Sequence, residues 1–109
     1  MQNSPFSEDG LLYDEFLSLY AALFDHAERH TEIIRVLATK KQGMRRKNII
    51  ENISFSDGSQ VTKTLDELTQ SGFITAYLPF GNKQRYKLYR LTDQYSLFYL
   101  NFIVAFQLA

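Results

Sequence analysis

The sequence predicts a mainly α-helical domain that carries a small antiparallel β-hairpin. Three observations lead there. Apolar residues recur at steps of three and four through residues 11–71, the rhythm of helices with one buried face. Beyond Gly72 the rhythm changes to β-prone runs separated by a Pro/Gly/Asn turn. The chain has 109 residues, 45% of them hydrophobic, with 5 Gly and 2 Pro, enough for one core and too few for two.

Residues 1–10 are polar, contain Pro5 and Gly10, and read as a flexible lead-in to a domain spanning 11–109. From Leu11 to about His26, the positions Leu12, Phe16, Leu19, Tyr20, Leu23 and Phe24 form the stripe of a first helix. A second helix is expected from His30 or Thr31, with the Thr31 hydroxyl as its cap. Ile33, Ile34, Val36 and Leu37 face inward, Lys40 and Lys41 suit the carbonyl end, and Gly43 closes the segment. Met44 to Ile53 reads as a third, short helix with Ile49, Ile50 and Ile53 inward.

Ser54 to Gly58 is a turn in which Ser56 or Asp57 caps a fourth helix, which runs through Ser71 with Val61, Leu65 and Leu68 on its stripe. Gly72 ends it, since glycine reaches left-handed backbone angles at little cost. Residues 73–78 and 86–91 form two strands, joined across Pro79–Lys83 as a hairpin. In the second strand Tyr86, Leu88 and Arg90 share one face and Lys87, Tyr89 and Leu91 the other, so periodicity alone does not choose the packed face. Thr92 or Asp93 caps a last helix, apolar nearly all round from Tyr95 to Leu108. It is expected to pack on the first helix.

Helix, turn, helix, then a two-stranded ribbon is the order of a winged helix-turn-helix. The 12 basic and 12 acidic side chains cancel overall, yet residues 1–34 hold seven acids against Arg29 alone. The basic groups gather later. Lys40, Lys41, Arg45, Arg46 and Lys47 stand at the entrance of the helix-turn-helix, and Lys83, Arg85 and Lys87 on the wing. These are candidates for phosphate contact, which needs positive charge and no base-specific edge. On the fourth helix Gln60 and Lys63 are the candidates for base edges. Ser59, Thr64, Asp66, Glu67 and Gln70 are expected to be exposed beside them, and the two acids there oppose a phosphate field.

The words Ser71-Gly72-Phe73-Ile74, Leu78-Pro79-Phe80-Gly81 and Tyr86-Lys87-Leu88-Tyr89-Arg90-Leu91-Thr92-Asp93 resemble the winged-helix domain that follows the ATPase domain in archaeal and bacterial AAA-type ATPases. In that family a "YRLTD" segment leads into an aromatic helix, matched here by Tyr95, Phe98, Tyr99, Leu100, Phe102 and Ile103. The likeness covers roughly Thr31 to Phe106 and is densest over the last 40 residues. It implies a winged helix cut from a larger chain whose upstream domain binds nucleotide. No GxxxxGK[ST] phosphate loop is present, so these residues are expected to bind no cofactor and to catalyse nothing.

Other chemistry finds little support. There is no Cys, which excludes a disulfide framework, a thiolate nucleophile and cysteine-based zinc sites. His26 and His30 stand four apart without the HExxH pattern and read as two exposed surface histidines. No basic-then-apolar leader and no run of 18 apolar residues occurs, so a cytoplasmic protein is expected. The last helix carries more apolar surface than one face can bury, which makes Tyr95, Phe98, Tyr99, Phe102 and Phe106 candidates for an interaction patch. The function expected is a non-catalytic module that docks on its parent ATPase domain or forms a homodimer, with double-stranded DNA binding through phosphates as the alternative.

Overall fold

A computed structural model of the protein describes residues 11–55, 57–79 and 86–100, with side chains from residue 14 onward. The chain is mainly helical with one small antiparallel sheet. Helix α1 spans Leu11–Leu23, α2 Ala27–Leu37, β1 Met44–Arg45, α3 Arg46–Glu51, α4 Gly58–Gln70, β2 Ile74–Tyr77 and β3 Leu88–Leu91. A further helix, α5, occupies residues 94–100. The expected turn at 79–83 lies largely outside the described residues, as do Lys83, Arg85, Phe102, Ile103 and Phe106.

Helical periodicity placed most of the core, with Leu23 of the α1 stripe the exception, since it is exposed. Phe16 and Tyr20 of α1, Ile33, Ile34 and Leu37 of α2, Ile49 of α3, and Val61, Leu65 and Leu68 of α4 are buried together with Phe73, Ile74, Tyr89 and Leu91. The sheet presents the Tyr89/Leu91 face to this core, which settles the choice left open by alternation. Asp57 caps α4, its carboxylate accepting from Ser59 N at 2.9 Å. Gly72 takes the left-handed backbone that ends α4, at φ +83°.

Two boundaries differ from expectation. Met44 and Arg45 are a strand, not the first turn of a helix, and α3 begins only at Arg46. Met44 pairs with Tyr89 and Arg45 with Leu88, so β3 lies between β1 and β2 in the sheet. Opposite it Ile74 pairs with Leu91 and Tyr77 with Leu88. Two residues carry no readable period, and β3 supplies the hydrogen bonds that define this strand. Gly43 at φ +100° makes the corner into it, where an added Cβ would stand 3.0 Å from the Tyr89 carbonyl oxygen.

The second difference is the start of α2. The first helix stops at Leu23, and His26 takes a left-handed conformation at φ 57° before α2 begins at Ala27. Thr31 is therefore inside α2 and caps nothing. It is buried, with its hydroxyl donated to the Glu28 carbonyl at 3.2 Å.

Helix α5 does pack on α1. Tyr20 and Ser96, both fully buried, share a hydroxyl–hydroxyl hydrogen bond of 2.6 Å. Tyr99 stacks on Phe16 and donates its hydroxyl to Glu15 at 3.1 Å. Asp93 starts α5, accepting from Ser96 N at 2.8 Å. Among the described residues no helix is long and apolar enough to cross a membrane.

Candidate nucleic-acid interface

Side-chain hydrogen bonds hold α3 and α4 to each other and to α2. Arg46, the first residue of α3, donates from Nη2 to the Gly58 carbonyl at 3.0 Å and to Thr62 Oγ1 at 3.2 Å. Its guanidinium thus joins the basic end of α3 to the first turn of α4. The turn between them is fastened from the other side by Glu32 of α2, which accepts from Ser54 N at 2.6 Å and from the Ser54 hydroxyl at 2.8 Å.

Lys47 of α3, Lys63 of α4, and Lys40 and Lys41 in the turn before β1 are exposed. Gln60 is half-buried, and Thr64, expected at the surface, is buried with its hydroxyl bonded to the Gln60 carbonyl at 2.7 Å. Thr64 therefore belongs to the core face of α4. Arg45 and Lys87 are half-buried against aromatic rings, Arg45 at 5.8 Å from the Tyr86 centroid and Lys87 at 5.4 Å from that of Tyr89. Cation–π contact of this kind leaves the charge in place but spends part of each side chain's freedom on the fold.

The acids on α4 separate. Asp66 is exposed beside Lys63. Glu67 turns inward instead, its Oε1 lying 2.7 Å from His30 Nε2. His30 is 1% exposed and its ring lies flat on Phe24, 4.1 Å between centroids and 8° between planes. The expectation of two exposed histidines is thus wrong for His30, and correct for His26. Alternating helical spacing cannot show this, because the partner that makes burial of an imidazole tolerable is 37 residues away in sequence. His26 lies 3.8 Å from Glu28, His30 bonds Glu67 and Glu32 bonds Ser54, and among the described residues no group of three or more potential ligands could hold a metal ion.

At the α4 terminus the Asp57 carboxyl is held below the usual carboxylate range, chiefly by the bonds it accepts from the Ser59 hydroxyl and backbone N–H. Its negative charge occupies the helix start.

Of the expected interaction patch, Tyr95 and Phe98 are on the surface, at 40% and 63% exposure. Tyr99 is not an available member, because Phe16 and Glu15 hold it against α1. In comparisons with protein-family models, curated proteins and solved structures, nothing matches this chain.

Proposed function

We propose that the chain is a non-catalytic winged helix-turn-helix module that lies along the backbone of double-stranded nucleic acid. In this reading α3 and α4 form the helix-turn-helix, and β2 and β3 begin the wing. The observation that carries it is the exposure of lysines on α3, on α4 and in the turn before β1. Lys40, Lys41, Lys47 and Lys63 are exposed, while Glu67 is hydrogen-bonded to His30. One of the two acids on α4 is thereby engaged by a hydrogen-bond partner, although it stays partly exposed. With Asp66 still exposed and no arginine on α4, the interface favours phosphates over base edges, with Gln60 and Lys63 as the candidates on α4 for reading sequence. The resemblance to ATPase-associated winged helices supports placing such a module beside a nucleotide-binding domain in a longer chain.

The test is binding of the 109-residue chain to a random-sequence duplex across salt concentrations. Affinity should fall steeply with salt. Replacing Lys47 and Lys63 by Gln should flatten the logarithmic slope by about 0.9 per lysine, the counterions no longer released. No detectable binding at about 50 mM salt, where such contacts are strong, would remove the reading.

A second reading rests on Tyr95 and Phe98. Their exposure on α5 favours a protein-docking face for the parent ATPase domain or a second copy of the chain. Sedimentation of the wild type and of Phe98→Ser tests the self-association branch. A concentration-dependent dimer that the substitution dissolves supports it, and a monomer at all concentrations removes it.

A further inference from the structure

We propose that Tyr95 and Phe98 of α5, together with Glu15 of α1, dock a short cationic amphipathic helix of a partner protein. This deepens the second reading above, on which it rests: there the two rings form a protein-docking face, and here the chemistry of what covers them is added.

The rings stand on a fixed base. Tyr99 stacks on Phe16 and donates its hydroxyl to Glu15 at 3.1 Å, which ties it to α1. Tyr95 lies against Tyr99 at 4.4 Å between centroids, and Phe98 meets it nearly edge-on, at 5.9 Å and 84°. Both outer rings keep much of their surface in solvent, 40% for Tyr95 and 63% for Phe98. They are three positions apart on one helix, a spacing at which side chains share a face. Apolar anchors repeated at three and four on a facing helix can reach such a pair.

Charge selects the partner. All 12 lysines and arginines lie in residues 29–90, whereas residues 1–28 and 91–109 hold seven acids and no lysine or arginine. Neither α1 nor α5 therefore carries a lysine or arginine. Asp14 and Glu15 are exposed on α1. Glu15 accepts from Tyr99 and, among the described residues, enters no ion pair. A carboxylate bordering exposed rings attracts lysine or arginine, and the same cations sit favourably over the ring faces. A phosphate backbone would be repelled here. A two-fold contact through α5 would bring two acidic borders together, which disfavours a second copy. Area points the same way. The exposed parts of the two rings amount to roughly 150–250 Å², taking a whole aromatic side chain at about 150–250 Å². A stable interface buries about 800 Å² per partner. The face can seat the anchors of a short helix and is too small for a stable dimer.

The test uses the full chain and two synthetic peptides, an amphipathic helix of leucine and lysine and its twin with glutamate at each lysine position. Binding is read by titration calorimetry at about 50 mM salt, where surface charges are only partly screened. The lysine peptide should bind at least about tenfold more tightly than its twin. Phe98→Ser should weaken it about tenfold. Glu15→Gln, whose amide oxygen still accepts from Tyr99, should narrow the gap between the two peptides. Equal affinity for both peptides, lost in Phe98→Ser, would overturn the proposal and leave the docking face standing. Binding of the lysine peptide that ignores Phe98→Ser would be general attraction to an acidic surface and would overturn it too. A dimer of the chain that Phe98→Ser dissolves and that shuts out the peptide would make a second copy the occupant, against the proposal. Failure of both peptides to bind would remove the proposal and the docking face together.

Discussion

The hydroxyl pair between α1 and α5 gives a prediction whose magnitude can be worked from the geometry. Tyr20 and Ser96 bury their hydroxyl groups completely, and the two oxygens are 2.6 Å apart. Tyr20→Phe keeps the ring contacts with Phe16, Phe24 and Phe73 and strands the serine hydroxyl. Ser96→Ala strands the phenol. Each single change therefore loses one net hydrogen bond and leaves a desolvated polar group, a cost of about 1–3 kcal/mol. The stranded phenol is the worse case, because a serine on a helix can turn its hydroxyl to a preceding carbonyl and a ring-mounted hydroxyl cannot. The double variant removes both groups, leaves nothing unsatisfied, and should come within about 1 kcal/mol of the wild type. The assay is a double-mutant cycle by urea denaturation under circular dichroism, reading midpoint and slope together. Strictly additive single effects, with a coupling energy near zero, would show that the bond does not hold α5 on α1.

Other outcomes follow from single positions. Gly43→Ala should destabilise by about 1–3 kcal/mol in thermal unfolding, because a left-handed backbone meets a Cβ placed 3.0 Å from the Tyr89 carbonyl oxygen. A loss no larger than an ordinary surface substitution would mean that the β1 corner is not constrained as described. For Asp57 the sign runs toward acid. Its carboxyl is held below the usual range by Ser59, so the stability it adds is complete above the ordinary Asp value, about 3.9, and is lost as pH falls below it. Asp57→Asn, an uncharged cap, should blunt that acid-side loss in a pH series of unfolding midpoints.

Much of this fold is legible from spacing because three helices bury one stripe each. Phe16 and Tyr20, Ile33, Ile34 and Leu37, and Val61, Leu65 and Leu68 are all readable as inward positions, and all are buried. What spacing misses is decided by partners far along the chain. Met44 and Arg45 are a strand only because Tyr89 and Leu88 pair with them. The start of α2 is set by a left-handed histidine, a conformation that residue type only weakly favours. At the candidate site the basic run 45–47 is visible as charge, yet the sequence does not show that Arg46 is tied to Gly58 and Thr62 while Lys47 is exposed. The inward turn of Glu67 is invisible for the same reason. A carboxylate four residues from a lysine on a helix reads as a surface pair, and only the tertiary neighbour His30 draws it away.

The sheet order β1-β3-β2 also governs how the domain is assembled. Its middle strand is the last to be synthesised, so neither neighbour has a backbone partner until residues 88–91 leave the ribosome. A nascent chain that ends earlier holds helices packed by local contacts, with the corner before α3 still unfastened. Closure is therefore a late, long-range event, dependent on contacts of high sequence separation. Truncations that remove Leu88–Leu91 should release both ends of the sheet in one step.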